Sequence, residues 1–182
     1  GTREVDLPGA GLVENTNELL KDEGVVGIKT GTLRDGYNVL AAKDVVVEGT
    51  TVRIYAVVLG QPDTETRWDV GRSLFDQVET QLQPTTTVAA GTVVGKVSTE
   101  WGESVDLLTT DDARLVLWNG SEATAMSTLS LGETWTTGTD AGSVTATGPL
   151  GESTVGVQLD GTIDEPTPWW KLTHPLELTG IW

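Results

Sequence analysis

Between residues 24 and 60 the chain alternates dense apolar runs with short polar breaks. Residues 24–33 read as a strand, with Val25, Val26 and Ile28 as its apolar positions. Arg34-Asp35-Gly36 predicts a hairpin turn, because Asp-Gly accepts positive φ. Residues 37–43 form a second strand, extended by Val45-Val46-Val47, and Glu48-Gly49 predicts the next turn. Residues 51–60 form a third strand carrying Ile54, Ala56, Val57, Val58 and Leu59. Loops this short imply antiparallel pairing. Upstream, Asn15-Thr16-Asn17 marks a turn or helix entry before a short helical stretch through Leu19-Leu20.

The period then changes. Val70, Leu74, Phe75, Val78 and Leu82 recur at helical spacing, and Asp63 or Thr64 can cap the helix they predict. Its apolar face should pack on the three strands. Near-continuous apolar strands suit a sheet covered on both faces, and one helix covers only one. The other face therefore calls for a partner, which the second domain or a polypeptide outside this sequence would supply.

After Gln83-Pro84 the helical period disappears and Thr, Val and Gly dominate. Short β-branched runs at 85–88, 92–97, 104–108, 114–118, 143–146 and 154–159 predict strands, with turns at Asn119-Gly120 and Asp160-Gly161. Ala90-Gly91-Thr92-Val93 resembles Ala141-Gly142-Ser143-Val144, and Gly102-Glu103-Ser104 resembles Gly151-Glu152-Ser153; unequal offsets favour two similar hairpins over a duplication. The fold class expected is an α+β portion over residues 1–82, antiparallel strands with a C-terminal helix, followed by an all-β sandwich over residues 84–182.

Charge narrows the partners. The 182 residues carry a formal net charge of -16. Residues 1–82 hold eight Lys/Arg against fourteen Asp/Glu, and residues 83–182 hold three against thirteen, so neither part offers the basic surface that nucleic acid needs. There is no cysteine, which excludes thiol catalysis, disulfides and cysteine zinc sites. His174 is the only histidine; beside Pro175 it reads as a structural or surface residue, not a member of a Ser-His-Asp triad. No apolar run reaches membrane-spanning length, and no metal or organic cofactor is implied. The start at Gly1-Thr2, without Met, reads as that of a processed or truncated piece.

The chemistry concentrates in Gly27-Ile28-Lys29-Thr30-Gly31-Thr32-Leu33. A strand bearing Lys-Thr-Gly offers a positive charge at Lys29 and hydroxyls at Thr30 and Thr32. Gly31 removes a side chain so that a ligand backbone can approach. Such an edge suits an extended peptide ending in a carboxylate, added as a further strand. Acyl transfer needs a nucleophile and base as well. No Ser here is followed three residues later by Lys, and there is no Ser-x-Asn.

Lys29-Thr30-Gly31 is one of three motifs shared by penicillin-binding proteins and class A β-lactamases. With Asn15-Thr16-Asn17-x-Leu19-Leu20 before it, and 36–42, 53–60 and Arg67 after it, the stretch from about residue 12 to 80 resembles the C-terminal part of the catalytic domain of serine-type D-Ala-D-Ala carboxypeptidases, the low-molecular-mass penicillin-binding proteins. An all-β domain commonly follows that catalytic domain in the family. The resemblance implies an extracytoplasmic, cell-envelope hydrolase of peptidoglycan metabolism, membrane-anchored through a segment absent here. Its substrate would be a stem peptide ending in D-Ala-D-Ala, its inhibitors β-lactam antibiotics, and its cofactor and metal requirement none. Lys29, Thr30 and Gly31 match the third motif, Thr32 the adjoining substrate contact, and Arg67 an arginine associated with the terminal carboxylate.

The nucleophilic serine, the general-base lysine and the second motif would lie upstream of Gly1, so this chain alone is expected to be inactive. A truncated piece, an N-terminal half present as a separate associated chain, and a naturally inactive module all remain open. A rival reading makes the Trp-rich β domain a cell-envelope binding or scaffold module. It predicts Trp101, Trp118, Trp135 and Trp169 on one exposed face. The enzyme reading predicts a cleft beside Lys29 and an apolar sheet face left uncovered.

Overall fold

The computed structural model describes residues 2–34 and 36–175, so Asp35 of the expected hairpin turn lies outside the described residues. The chain divides into two compact units: residues 1–84 with Val116–Ser121, and the remainder. No local signal marks the return of Val116–Ser121 to the first unit, because it rests on a long-range contact: Val116 is buried in that unit's core.

The first unit opens with a hairpin that the sequence reading passed over, β1 (Glu4–Leu7) and β2 (Gly11–Glu14), exposed along its whole length. A short 3-10 turn at Glu18–Lys21 follows. Asn17 caps it, its side-chain oxygen accepting from the Leu19 N–H at 3.1 Å, and Leu19 is fully buried. Strands β3 (Val25–Leu33), β4 (Gly36–Val47) and β5 (Thr50–Gln61) form an antiparallel sheet in chain order, so β3 lies at an edge. The Glu48-Gly49 turn is present, both residues at positive φ as a two-residue hairpin loop requires.

Helix α1 (Thr64–Glu79) starts at Asp63, whose carboxylate accepts from the Thr66 N–H at 2.7 Å. It packs on β4 and β5, burying Val39, Ala41, Val52, Ile54, Ala56 and Val58 beneath Trp68 and Phe75. Each large side chain so buried contributes about 1.5–3 kcal/mol. Two corrections apply to the expected helix face. Trp68 is one of its anchors, and Leu82 is buried from the start of β6 (Leu82–Val88), not from the helix. The opposite sheet face is uncovered, with Tyr55, Val57 and Leu59 all more than half exposed.

In the second unit β7 (Val93–Ser98), β8 (Ser104–Thr109), β10 (Thr124–Leu129), β11 (Asp140–Gly148) and β12 (Gly151–Leu159) form one antiparallel sheet in the order β10-β11-β12-β8-β7. Strand β9 (Ala113–Trp118) pairs with β6 in a separate ladder. The strands of that ladder are divided between the two units, so the second unit is built on one five-stranded sheet and not on the two comparable sheets of the expected sandwich. Val97, Leu107, Val144, Val155, Val157 and Leu159 are among its buried apolar positions. Strand β10 gave no alternating apolar signal because every side chain on it is exposed; it is held by its ladder to β11 and by Leu129, which lies against Gly95 of β7. The two look-alike Ala-Gly segments are not equivalent. Gly91 sits in a turn before β7, and Gly142 at a bulge inside β11.

A last short helix, α2 (Pro168–Thr173), is capped by Thr167 with Pro168 at its first position, a signal the sequence carries. His174 closes it, stacked on Trp170 with ring centroids 4.6 Å apart. No helix among the described residues is long and apolar enough to cross a membrane.

Candidate functional site

Strand register decides what the Lys-Thr-Gly segment presents. Lys29 stands opposite Leu40, Thr30 opposite Val39, Gly31 opposite Asn38 and Thr32 opposite Tyr37. Val39 is buried under α1, so alternation places Thr30 and Thr32 on the helix side and Lys29 and Gly31 on the uncovered side. What all four share is the free edge of β3. On the uncovered face beside that edge an apolar cavity of about 410 Å³ opens across the three strands, lined by residues 29–33 together with Asn38, Leu40, Val57 and Leu59.

Lys29 is exposed and has no carboxylate partner among the described residues; its Nζ donates to the Thr30 carbonyl. Thr30 Oγ1 lies 2.9 Å from Thr16 Oγ1, which ties the Asn15-Thr16-Asn17 segment to the motif strand. Gly31 has no positive φ, and a Cβ built on it would meet nothing within 4 Å. Neither the backbone nor the packing of this chain requires glycine there. Glycine weakens a strand interior, and a strand glycine often marks a close approach of another backbone or a ligand.

Asn38 was not singled out from sequence as a site residue, yet it organises the neighbouring strand. It occupies an irregularity in the β4–β5 pairing, and its Oδ1 accepts from the Gly60 N–H at 2.8 Å. Its signal was an asparagine two residues after Gly36, near a strand start that sits close to Gly60. The floor residues Val57 and Leu59 could have been found from the alternation along β5, whose other face buries Val52, Ile54, Ala56 and Val58.

Arg67 does not line this cavity. It is only 5% exposed, in the first turns of α1, with its guanidinium 3.9 Å from the Trp68 ring centroid and 5.6 Å from that of Tyr37. Nη1 donates to the Asn38 carbonyl at 3.4 Å, and Nε is buried without a partner. Burial pulls the guanidinium pKa below its ordinary value. The arrangement braces the strand beside Gly31 from behind.

The tryptophans divide differently from the exposed face anticipated for them. Trp118 belongs to the first unit. Trp101 and Trp135 stack in the second, and Trp170, not Trp169, joins them edge-on at 5.9 Å. Trp169 is 72% exposed. Among the described residues no group of three or more His, Asp or Glu is placed to hold a metal ion.

Solved structures similar to this chain include penicillin binding protein 5 from Haemophilus influenzae, at 22% identity and a TM-score of 0.43 over 90% of this chain and 50% of that one. A peptidoglycan synthesis regulatory factor (PBP3) from Streptococcus pneumoniae matches at 21% identity and 0.47 over 89% and 49%. The D-alanyl-D-alanine carboxypeptidase DacD from Francisella tularensis matches at 19% identity and 0.41 over 85% and 40%. The chain spans half or less of the length of these structures. No family model and no curated protein matches the sequence.

Proposed function

We propose that this chain carries the carboxylate-binding strand edge of a serine-type D-Ala-D-Ala carboxypeptidase acting on peptidoglycan stem peptides. The observation that carries the reading is Gly31, a strand glycine with open space above it, set between Lys29 and Thr32 on a free sheet edge. A peptide laid along β3 gains main-chain hydrogen bonds from the edge. Lys29 supplies the positive charge for its terminal carboxylate, and the hydroxyls of Thr30 and Thr32 supply donors. Arg67 acts as a positioning residue through Asn38. No Ser here is followed three residues later by Lys, so on this reading the acyl-forming serine and its lysine base would be supplied by other polypeptide. β-Lactams would use the same edge, at the cell envelope.

The test is an NMR titration with an acetylated peptide ending in D-Ala-D-Ala, beside the same peptide amidated at its C-terminus. The free acid is expected to shift β3 amide signals, and the amide to shift them far less. Lys29→Ala should abolish that difference while leaving stability within the scatter of surface substitutions. Equal responses to acid and amide would overturn the carboxylate assignment. Denaturing mass spectrometry after benzylpenicillin should show no adduct on this chain; a penicilloyl adduct would refute its lack of a nucleophile.

A further inference from the structure

The second unit holds a cavity of about 260 Å³, separate from the β3 edge and without a role in the function proposed above. Two half-buried indoles, Trp101 and Trp135, form its aromatic wall, with ring centroids 6.5 Å apart and planes within 10°. Ile163 and Pro166 add apolar surface, and Glu133, Asp164 and Glu165 bring carboxylates.

The wall is held by its own hydrogen bonds. Trp101 Nε1 donates to the Asp164 carbonyl at 3.0 Å, and Trp135 Nε1 to the Gly132 carbonyl at 2.8 Å. The Asp164 N–H donates to Glu103 Oε2 at 2.8 Å, and the Ile163 N–H to the Trp135 carbonyl at 2.8 Å. Both indole N–H groups are therefore spent on the protein. No lining side chain has a donor left to offer a ligand. What remains is π-surface and negative charge. Lys171 pairs with Glu165 at 2.7 Å, but the Glu133 and Asp164 carboxylates have no cationic partner among the described residues.

That inventory selects a ligand by its chemistry. An anion would meet carboxylates. A sugar with acetamido carbonyls would bring acceptors that no side chain here can satisfy, and leaving them unpaired is costly. An ammonium group fits both features, because it donates to carboxylates and is attracted to an indole face. Ile163 and Pro166 suit the methylene stem behind such a group. The surrounding field has the matching sign, since residues 83–182 hold three Lys/Arg against thirteen Asp/Glu.

We propose that the Trp101–Trp135 cavity binds the primary ammonium group at the end of an aliphatic side chain, such as a lysine or diamino-acid residue of a peptide.

The experiment is a titration of the 15N-labelled chain, following the indole Nε1–H signals. Three probes are compared: Nα-acetyl-lysine amide, its Nε-acetylated form, and N,N′-diacetylchitobiose. The free lysine probe should shift the Trp101 and Trp135 signals at millimolar concentration, and the Nε-acetylated probe should not. Glu133→Gln, at an exposed position, should weaken the lysine probe by about threefold or more, and about 0.5 M salt should weaken it further. Lys29→Ala should leave this titration unchanged, which separates it from the β3 reading. Absence of shifts, equal shifts with the acetylated probe, or full-strength binding by Glu133→Gln would each overturn the proposal. A response to chitobiose with silence toward lysine would replace it with a glycan site.

Discussion

Gly31 and Gly36, on the two strands of one hairpin, test the open edge directly. In Gly31→Ala the added methyl meets no atom within 4 Å, and the backbone is not left-handed. Where the native conformation accepts alanine, the smaller entropy of the unfolded chain stabilises by about 0.4–1 kcal/mol. Gly36→Ala is the opposite case. Its Cβ would stand 2.6 Å from Gly60 Cα and 3.1 Å from Gly60 C, both backbone atoms that no rotamer change can move aside. The starts of β4 and the end of β5 would have to part, a strain of about 1–3 kcal/mol. Amide hydrogen exchange of β3–β5 as a function of urea reads the first unit apart from the second. The two substitutions should shift the opening free energy in opposite directions. Gly31→Ala should at the same time weaken the D-Ala-D-Ala peptide, because the methyl fills the approach path. A loss of more than about 1 kcal/mol in Gly31→Ala would mean that something presses on this position, and the case for a ligand-sized opening would fall.

Phe75→Ala, at a side chain only 2% exposed between α1 and the sheet, should cost about 3–5 kcal/mol in the same exchange experiment. Leu19→Ala should also destabilise the first unit, by about 2–5 kcal/mol, since this fully buried residue packs the 3-10 turn beneath α1. Asp63→Ala should lower thermal stability in a pH-dependent way. The Thr66 N–H holds the Asp63 carboxyl below its usual pKa, so its contribution is complete above the unfolded value near 4 and is lost as pH falls through the folded one. Melting curves of wild type and variant should therefore differ at pH 7 and converge toward pH 2.

The three-stranded hairpin series and its helix were legible because each signal was local. Apolar alternation, an Asp at the helix start and Glu48-Gly49 at a turn act within a few residues. The β1–β2 hairpin and β10 were not legible, because their side chains are exposed and strand pairing carries most of what holds them. Trp68 was missed because its burial depends on the sheet beneath α1, which the helical period does not describe. Of the candidate site, the residue types of Lys29, Thr30, Gly31 and Thr32 could be read directly. Asn38 could not, since its importance lies in an irregular register and in the approach of Gly60.

Residue order alone established the antiparallel strands, the capped helix, the acidic surface and the presence of a Lys-Thr-Gly strand, because backbone preference and side-chain chemistry are properties of short segments. Contacts between distant segments settled the rest. They put β3 at an edge, left the Gly31 face open, buried Arg67 behind Asn38, returned Val116–Ser121 to the first unit, and brought Trp101 beside Trp135. Each depends on which surfaces meet after the chain has closed on itself, and no local preference encodes that.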